Sequence, residues 1–372
     1  MPRVVGIDPG TVSFDICGLQ DDHVFLDATI PSTDIAANPQ VLVDLLLSAR
    51  PLDLIAGPSG YGLPLIPIEQ VSERDLGLVI LVRPEERERI AVLGGLRRLI
   101  LLMQQAGLPV IFTPGVIHLP TVPPYRKANK VDMGTADKLS CCVLAIASQS
   151  QHLGIPFHET SFVLVELGGA YTAVLAVEGG KVVDGIGGTV GGPGFYSLGM
   201  MDGELAYLLD GFSKETLFSG GASDIIGRQD LTPEAFARDA AADAGLREAW
   251  EAVMEGVVKS AAAETAVLSH PREILLSGRL CRTEQVRDEL ARRLSRFAPV
   301  RRVEGFAGVA KEAAQGSAII ADGLAGGRFA SLVETMNLKG ARGSVLDYLY
   351  VRGADKVKAR YGVQEEAIGS GG

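Results

Sequence analysis

Two short runs in the sequence combine carboxylates, glycines and hydroxyls at spacings that suit phosphate chemistry. In VVGIDPGTVSFDICGL, Val4–Leu19, an apolar strand ends on Asp8, turns through Pro9 and Gly10, and returns as a second strand. Gly10, Thr11 and Ser13 stand beside the carboxylate. Glycine lets main-chain N–H groups approach phosphate oxygens, hydroxyls add donors, and Asp8 can hold a hydrated Mg²⁺ that neutralises a nucleotide. The turn also reads as a plain hairpin in which Asp8 bonds its own backbone. In FVLVELGGAYTAVLAVEGGKVVDGIGG, residues 162–188, the layout recurs around Glu166, Gly168 and Gly169. Adding 158 converts one set of positions into the other: Asp8 to Glu166, Gly10 to Gly168, Asp22 to Gly180, Val24 to Val182. One fold therefore occurs twice in the chain.

Other polar runs sit where a strand or helix begins or ends. HLPTVPPYRKANKVDMGTAD, residues 118–137, interrupts the alternation of elements with prolines and with Tyr125, Arg126, Lys127, Lys130 and Asp132. A long polar loop of this kind is uncommon unless it binds something. Gly134–Lys138 then starts a helix that runs to about Gln151; its free N–H groups attract anions, and Thr135 or Asp132 could cap it. GIGGTVGGPGFYSLG, residues 185–199, has seven glycines in fifteen residues, too many for a packed element, and includes Gly191 and Gly192. Such a backbone lets a ligand come close or serves as a mobile flap.

The elements that must position these runs follow from periodicity. Asn38 and Pro39 read as cap and first position of a helix to about Arg50. Leu52–Ala56 is a strand ending in Gly57, Pro58, Ser59, Gly60, Tyr61 and Gly62. Pro84 opens a long amphipathic helix closed by Gly107, and Leu108–Thr113 is a buried strand. Residues 202–209 and 233–270 are helical by period, Glu273–Leu276 is a strand, 285–297 a helix and 300–303 an edge strand. A helix of small residues over 307–327, AGVAKEAAQGSAIIADGLAGG, suits a close crossing of two domains. Gly154–Pro156 marks the boundary, giving domains 1–155 and 156–328 and an extension 329–372 that packs back on the first domain and ends disordered.

With 372 residues the chain is long enough for two cores, and apolar residues make up 47% of it. A net charge of -10 argues against a nucleic-acid partner, whose phosphates need clustered Lys and Arg. Cys17, Cys141, Cys142 and Cys281 lie in apolar segments, as buried reduced thiols do, and the dispersed histidines offer no zinc spacing. No apolar run approaches the roughly 20 residues of a membrane span, and the first strand opens almost at Met1, which leads to the expectation of a cytoplasmic protein. A homodimer is compatible with all of this.

The repeated hairpins resemble those of the acetate and sugar kinase, Hsp70 and actin superfamily. The resemblance implies an α/β fold of two ribonuclease-H-like domains around a nucleotide cleft, with ATP and Mg²⁺ as cofactors. It implies that Asp8 and Glu166 hold the metal and that Gly10, Thr11, Ser13, Gly168 and Gly169 bind phosphates. REILLSGRLCR, Arg272–Arg282, looks like the adenosine strand and turn, so Ser277, Gly278 and Arg279 would meet the nucleoside. Arg279 could stack on adenine, pair with phosphate or anchor the following helix.

Within the superfamily, the GTADK helix start, the VELGGAYTAVLAV hairpin and the glycine-rich loop are similar to those of butyrate and acetate kinases. NKVDMGTADKL and QGSAIIADGLAGG resemble a little-characterised family of predicted butyrate kinases. The implied reaction is in-line transfer of the γ-phosphoryl of ATP to a small carboxylate, with Lys138, Arg126, Lys127 or Lys130 neutralising charge and Gly191 and Gly192 bordering the acceptor. Those kinases carry arginines at the turn after the strand and after the second hairpin, where this chain has Gly57–Gly62 and Met200–Gly203. The alternatives are a hydroxyl acceptor with Asp137 as base, and a nucleotide-driven conformational switch without a phosphorylated product.

Overall fold

The computed structural model describes residues 1–10, 12–58, 60–83, 86, 91–240 and 242–363, with the side chains of 91–94 excluded. Thr11, Ser59, Pro84 and the end of the chain from 364 lie outside the described residues, and so do the expectations placed on them. Strands β1 (Arg3–Pro9), β2 (Ser13–Gln20) and β3 (His23–Pro31) form an antiparallel meander, extended by parallel β4 (Leu54–Ala56) and β5 (Val110–Ile111). Strands β6 (Ser161–Leu167), β7 (Thr172–Glu178), β8 (Lys181–Ile186), β9 (Glu273–Ser277) and β10 (Val300–Arg302) repeat this order in a second sheet.

The offset of 158 holds residue for residue. Asp8 pairs with Asp15 and Glu166 with Ala173; Pro9 pairs with Phe14 and Leu167 with Thr172. Even the β-bulge is repeated, between Gly18 and Leu19 in one sheet and Ala176 and Val177 in the other. The next turns share a left-handed residue, Asp21 at φ 57° and Gly179 at φ 59°. Because a one-residue slip would send every side chain to the opposite face, a matching register puts Asp8 and Glu166 at the same place in each sheet.

Helices α1 (Ser32–Ala37), α2 (Gln40–Ser48), α3 (Glu73–Ile80), α4 (Ala91–Gln105), α5 (Pro124–Lys127) and α6 (Ala136–Leu153) belong to the first half. Next come α7 (Gly203–Leu208), α8 (Ala222–Ile225), α9 (Pro233–Asp239), α10 (Arg247–Thr265), α11 (Glu284–Leu294) and α12 (Glu312–Leu324), and finally α13 (Ala330–Thr335) and α14 (Ala354–Arg360). Alternation along β6 divides its residues between two cores. Phe162 and Leu164 join the large core with α6 and Ile319 of α12, whereas Val163, Val165 and Leu167 pack with Trp250, Val253 and Val286 of α10 and α11.

Helix α12, from the second half, lies across the first sheet. A Cβ on Gly6 would stand 2.2 Å from Ala314 O and Ala318 N, and one on Gly316 would stand 1.8 Å from Ser140 O of α6. Small residues thus let α12 touch both β1 and α6 with its backbone, and the hydroxyls of Ser140 and Ser317 meet at 3.0 Å. The small-residue helix therefore makes the close crossing its composition implies, although it starts at Glu312 rather than 307. The preceding loop is held by Asp27, which accepts from the N–H groups of Gly308, Val309 and Ala310 at 2.7 to 2.9 Å. The last segment reaches back: Asn129 N donates to Tyr348 O, and Arg342 N donates to His118 O.

Several boundaries differ from the periodic reading. Pro39 is the cap of α2 rather than its first residue, with Asn38 Oδ1 accepting from Gln40 N at 3.2 Å. The helical stretch 233–270 is two helices, parted where Gly245 N bonds Asp243 Oδ1 at 2.8 Å in a turn. Only Val110–Ile111 of the expected strand 108–113 joins the ladder; Leu108 and Phe112 are buried as core beside it. The short α1 and α3 were not legible in the period. The four cysteines are buried and unpaired, and no described helix is long and apolar enough to cross a membrane.

Candidate functional site

The strand-end turns of the first half converge on the start of α6. Ala136 N donates to Gly60 O at 3.1 Å, and Val116 N donates to Gly134 O at 2.9 Å. Thr135 occupies the N-cap of α6 with extended backbone but leaves the helix N–H groups uncapped; its hydroxyl donates to the Asp137 carboxylate. Asp132 does not cap the helix either. It accepts from Gly134 N, and from the N–H and hydroxyl of Thr189 at 3.1 and 3.0 Å, so it ties the α6 approach to the glycine-rich loop of the second half.

Lys138 is the hinge pin of the electrostatics. Its Nζ is 2.9 Å from Asp137 Oδ2 and 2.7 Å from Glu166 Oε2, so the first turn of α6 grips the carboxylate at the tip of β6. Burial raises Glu166, and the Lys138 ammonium only partly offsets this. Burial also works to raise Asp137, but the charge and hydrogen bond of Lys138 and the Thr135 hydroxyl outweigh it and hold that carboxyl below its ordinary value. Burial opposes the Lys138 charge, and the two carboxylates overcome it and raise Lys138 well above its usual range. Asp8 is pushed to about 7, by burial first and then by the charges of Asp137 and Asp15, against the pull of Lys138 and Lys311. Asp8 thus lies in the same field as Asp137, Lys138 and, through Lys138, Glu166.

Lys311, at the N-cap of α12, performs the reciprocal reach. Its Nζ is 2.6 Å from Asp15 Oδ2 and 2.5 Å from Ser13 Oγ, so the Ser13 hydroxyl is already engaged. The N–H groups of Gly10 and Gly168 are also spent, donating to Ser13 O and Tyr171 O at 3.0 Å each. These two glycines close their hairpins with the same N–H groups that the resemblance assigns to phosphate. Gly169 makes no such closing bond among the described residues, and its twin position is Thr11.

A groove of about 730 Å³ opens between the halves. Val12, Ser13 and Lys311 line one side, and Arg238, Arg279, Arg282, Thr283 and Gln285 the other. Arg279 pairs with Glu234 in the groove wall. Ser277 is fully buried with its hydroxyl unpartnered, and Gly278, at φ 94°, stands where a Cβ would be 2.6 Å from Glu166 Oε1. Of the expected nucleoside residues, Arg279 faces the groove, while Ser277 and Gly278 back the second hairpin and hold Glu166 in place.

The expected acceptor residues are elsewhere. Arg126 donates to Val183 O at 2.8 Å and stands 3.6 Å from Asp184 on β8, the edge strand. Lys130 acts on Glu264 of α10, in the same cluster. Gly192 packs against Gly256 of α10, and Gly191 closes a turn with Gly187. Lys127 is buried, donating to Leu119 O and Tyr348 Oη. Asp15, Lys311, Arg238 and Arg282 escaped the sequence reading. Asp15 alone carried a signal, as a second carboxylate on the strand returning from Asp8.

Asp8 suits Mg²⁺, which takes one or two carboxylates and fills its other positions with water and phosphate oxygens. No hydrogen bond reaches its carboxylate among the described residues, and burial first, then the charges of Asp137 and Asp15, disfavour its ionised form until a cation arrives. Glu166 is committed to Lys138 instead. Among the described residues no group of three or more His, Cys, Asp or Glu is set for a metal, so any ion here would draw most ligands from nucleotide and water.

Solved structures share this architecture. The acetate kinase of Porphyromonas gingivalis aligns with TM-score 0.57 and 12% identity over 80% of this chain and 88% of its own. The propionate kinase of Francisella tularensis aligns with TM-score 0.56 and 13% identity over 85% and 99%, and the acetate kinase of Entamoeba histolytica with 0.53 and 9% over 79% and 86%. At such identities the likeness establishes the fold, two ribonuclease-H-like domains facing across a cleft. No curated protein matches the sequence. A family model described as "Protein of unknown function (DUF1464)" matches residues 6–351, and the chain belongs to that family.

Proposed function

We propose that this chain is an ATP-dependent phosphotransferase acting on a small carboxylate, on the butyrate and acetate kinase side of its fold. The carrying observation is the pair of carboxylate-tipped hairpins in identical register, one of them gripped by Lys138 of the other half, together with a groove that Val12 and Ser13 of the first half share with Arg238, Arg279, Arg282 and Lys311 of the second. Arg238, Arg279, Arg282 and Lys311 line that groove together with Glu234 and Glu284, and these four cations are the groups that would meet a triphosphate, Arg279, Arg282 and Lys311 exchanging their present carboxylate partners for it. Asp8 would hold Mg²⁺, which supplies neutralisation of the phosphate charge.

An acceptor carboxylate oxygen attacks the γ-phosphorus, the bond to the bridging oxygen of ADP breaks, and an acyl phosphate and ADP leave. The nucleophile is already an oxyanion, so no general base is required, and the residues act by holding and neutralising. Lys138, protonated between Asp137 and Glu166, fixes the tip of the second hairpin to the start of α6. A hydroxyl acceptor would need Asp137 as base, but the Lys138 pair holds that carboxyl below its ordinary value and so makes it a weak one. ATP consumption measured against short carboxylates and the matching alcohols tests the reading. Stimulation by carboxylates supports it, stimulation by alcohols transfers the reaction to the hydroxyl class, and turnover indifferent to every acceptor but raised by a protein points to a conformational switch.

A further inference from the structure

A second cluster joins the two halves through residues other than those that line the cationic groove. The segment 212–218 leaves the second half and reaches the first: Arg83 donates to Phe212 O at 2.6 Å, and Lys214 Nζ stands 3.2 Å from Tyr61 Oη and 5.0 Å above the ring. The same segment is tied to the second hairpin, where Tyr171 donates to Leu217 O at 3.0 Å and its ring meets Phe218 edge-on at 5.4 Å. Tyr61 belongs to the turn after β4, whose Gly60 O accepts from Ala136 two residues before Lys138. The ammonium of Lys214 is therefore held at the Tyr61 turn, which is bonded to the start of α6, by a segment that is bonded to the second hairpin.

Burial lowers Lys214 from its ordinary value, and the charges of Asp132 and Glu86 pull the other way. No carboxylate pairs with it among the described residues. Burial likewise disfavours ionising Tyr61 and Tyr171, with the Asp132 charge adding to it, so both phenols remain protonated donors. A desolvated ammonium held by a phenol rather than by an ion pair gains when a ligand brings an anion into contact with it.

We propose that Lys214 and Tyr61 form the anion-recognising end of the acceptor pocket, taking one oxygen of a small carboxylate while the other faces the γ-phosphoryl. This rests on the phosphotransfer reading and supplies a cation where the arginines expected from the resemblance are missing. The lysine comes from a segment of the second half, not from the turns in which those arginines were sought.

The test measures ATP consumption with acetate, propionate and butyrate and with the corresponding amides, for the wild type and for Lys214→Met, Lys214→Arg and Tyr61→Phe. Calorimetry with a non-hydrolysable ATP analogue runs in parallel. Lys214→Met should raise KM for the carboxylates at least about tenfold, the scale of a charge-assisted contact, with nucleotide affinity unchanged. Lys214→Arg should restore most of the loss, Tyr61→Phe should lose less, and the amides should be inert throughout. An unchanged KM in Lys214→Met, or a nucleotide-binding wild type that no carboxylate stimulates, overturns the inference and leaves nucleotide binding standing. A wild type that binds no nucleotide removes the phosphotransfer reading and this site with it. Should Lys214→Met not fold, the arginine and Tyr61→Phe variants decide by the same KM comparison.

Discussion

The two hairpins have one backbone and two electrostatic settings. In the second, Glu166 at the tip of β6 is gripped by Lys138, three residues into α6 from its Thr135 cap. In the first, Asp8 has no such partner among the described residues. The helix that crosses toward it, α12, carries its lysine at the cap itself, so Lys311 reaches Asp15 and Ser13 on β2. Counting from the two caps, α12 has Ala313 and Ala314 where α6 has Asp137 and Lys138. Each half thus lends its last helix to the other half's hairpin, yet one tip is neutralised within the protein and the other has no ion pair among the described residues. The positions match throughout the two hairpins, and the residues at the two helix starts make the difference.

Removing the pin should have the largest effect. Lys138→Met leaves Glu166 and Asp137 buried without their counter-charge, which costs about 3 to 5 kcal/mol of stability for a broken buried pair. Urea unfolding should show it, and ATP turnover should be lost. Adding Glu166→Gln to Lys138→Met should recover part of the stability, since the pair then disappears as a unit. A Lys138→Met protein that unfolds at the wild-type midpoint would show that the two tips are not coupled through this lysine.

Asp8→Asn probes the unpinned tip and should act in the opposite sense on stability. The folded pKa of Asp8, about 7, lies above its unfolded value of 3.8, so its ionisation burdens the fold increasingly as pH rises between them. With metal and nucleotide absent, the asparagine variant should be more stable than wild type at pH 8, and the gain should vanish toward pH 4. Its affinity for magnesium ATP should fall about tenfold or more, the equivalent of roughly 1.5 to 3 kcal/mol for one charge-assisted contact. Equal affinity by calorimetry would remove Asp8 from the nucleotide site.

The repeat was legible because it is a local pattern: a period-2 strand, a carboxylate and a glycine turn recur at a fixed offset, and the sheet order follows from them. Lys138 was legible too, as a cation in the first turn of a helix. Partners supplied from a distance were not. Nothing near Lys311 announces that it will meet Asp15, 296 residues away, or that Lys214 will cross to Tyr61, 153 away. Arg126 and Lys130 misled for the converse reason. A basic loop rich in proline looks exposed to a ligand, whereas the fold lays it on β8, where Val183 O, Asp184 and Glu264 absorb its charge.

The smallest effect expected tests the crossing itself. Gly6 and its twin Leu164 occupy the same step of β1 and β6, yet one is bare and the other fills the large core. The difference follows from how closely the crossing helix approaches. Against β1, the backbone of α12 is so near that a Cβ on Gly6 would meet Ala314 O, Ala318 N and Ser317 C at 2.2 to 2.7 Å. Backbone atoms cannot swing aside as a side-chain end can, so Gly6→Ala must push α12 outward. Overpacking of this kind costs about 1 to 3 kcal/mol. The displaced helix carries Lys311, so the Lys311–Asp15 contact should lengthen while Lys138–Glu166, on the other helix, remains. Gly6→Ala should therefore melt earlier and bind magnesium ATP more weakly, with the Lys138 double-mutant coupling intact. If that coupling also falls, the two helices move as one body, and the separate settings of the hairpins do not arise from separate helices.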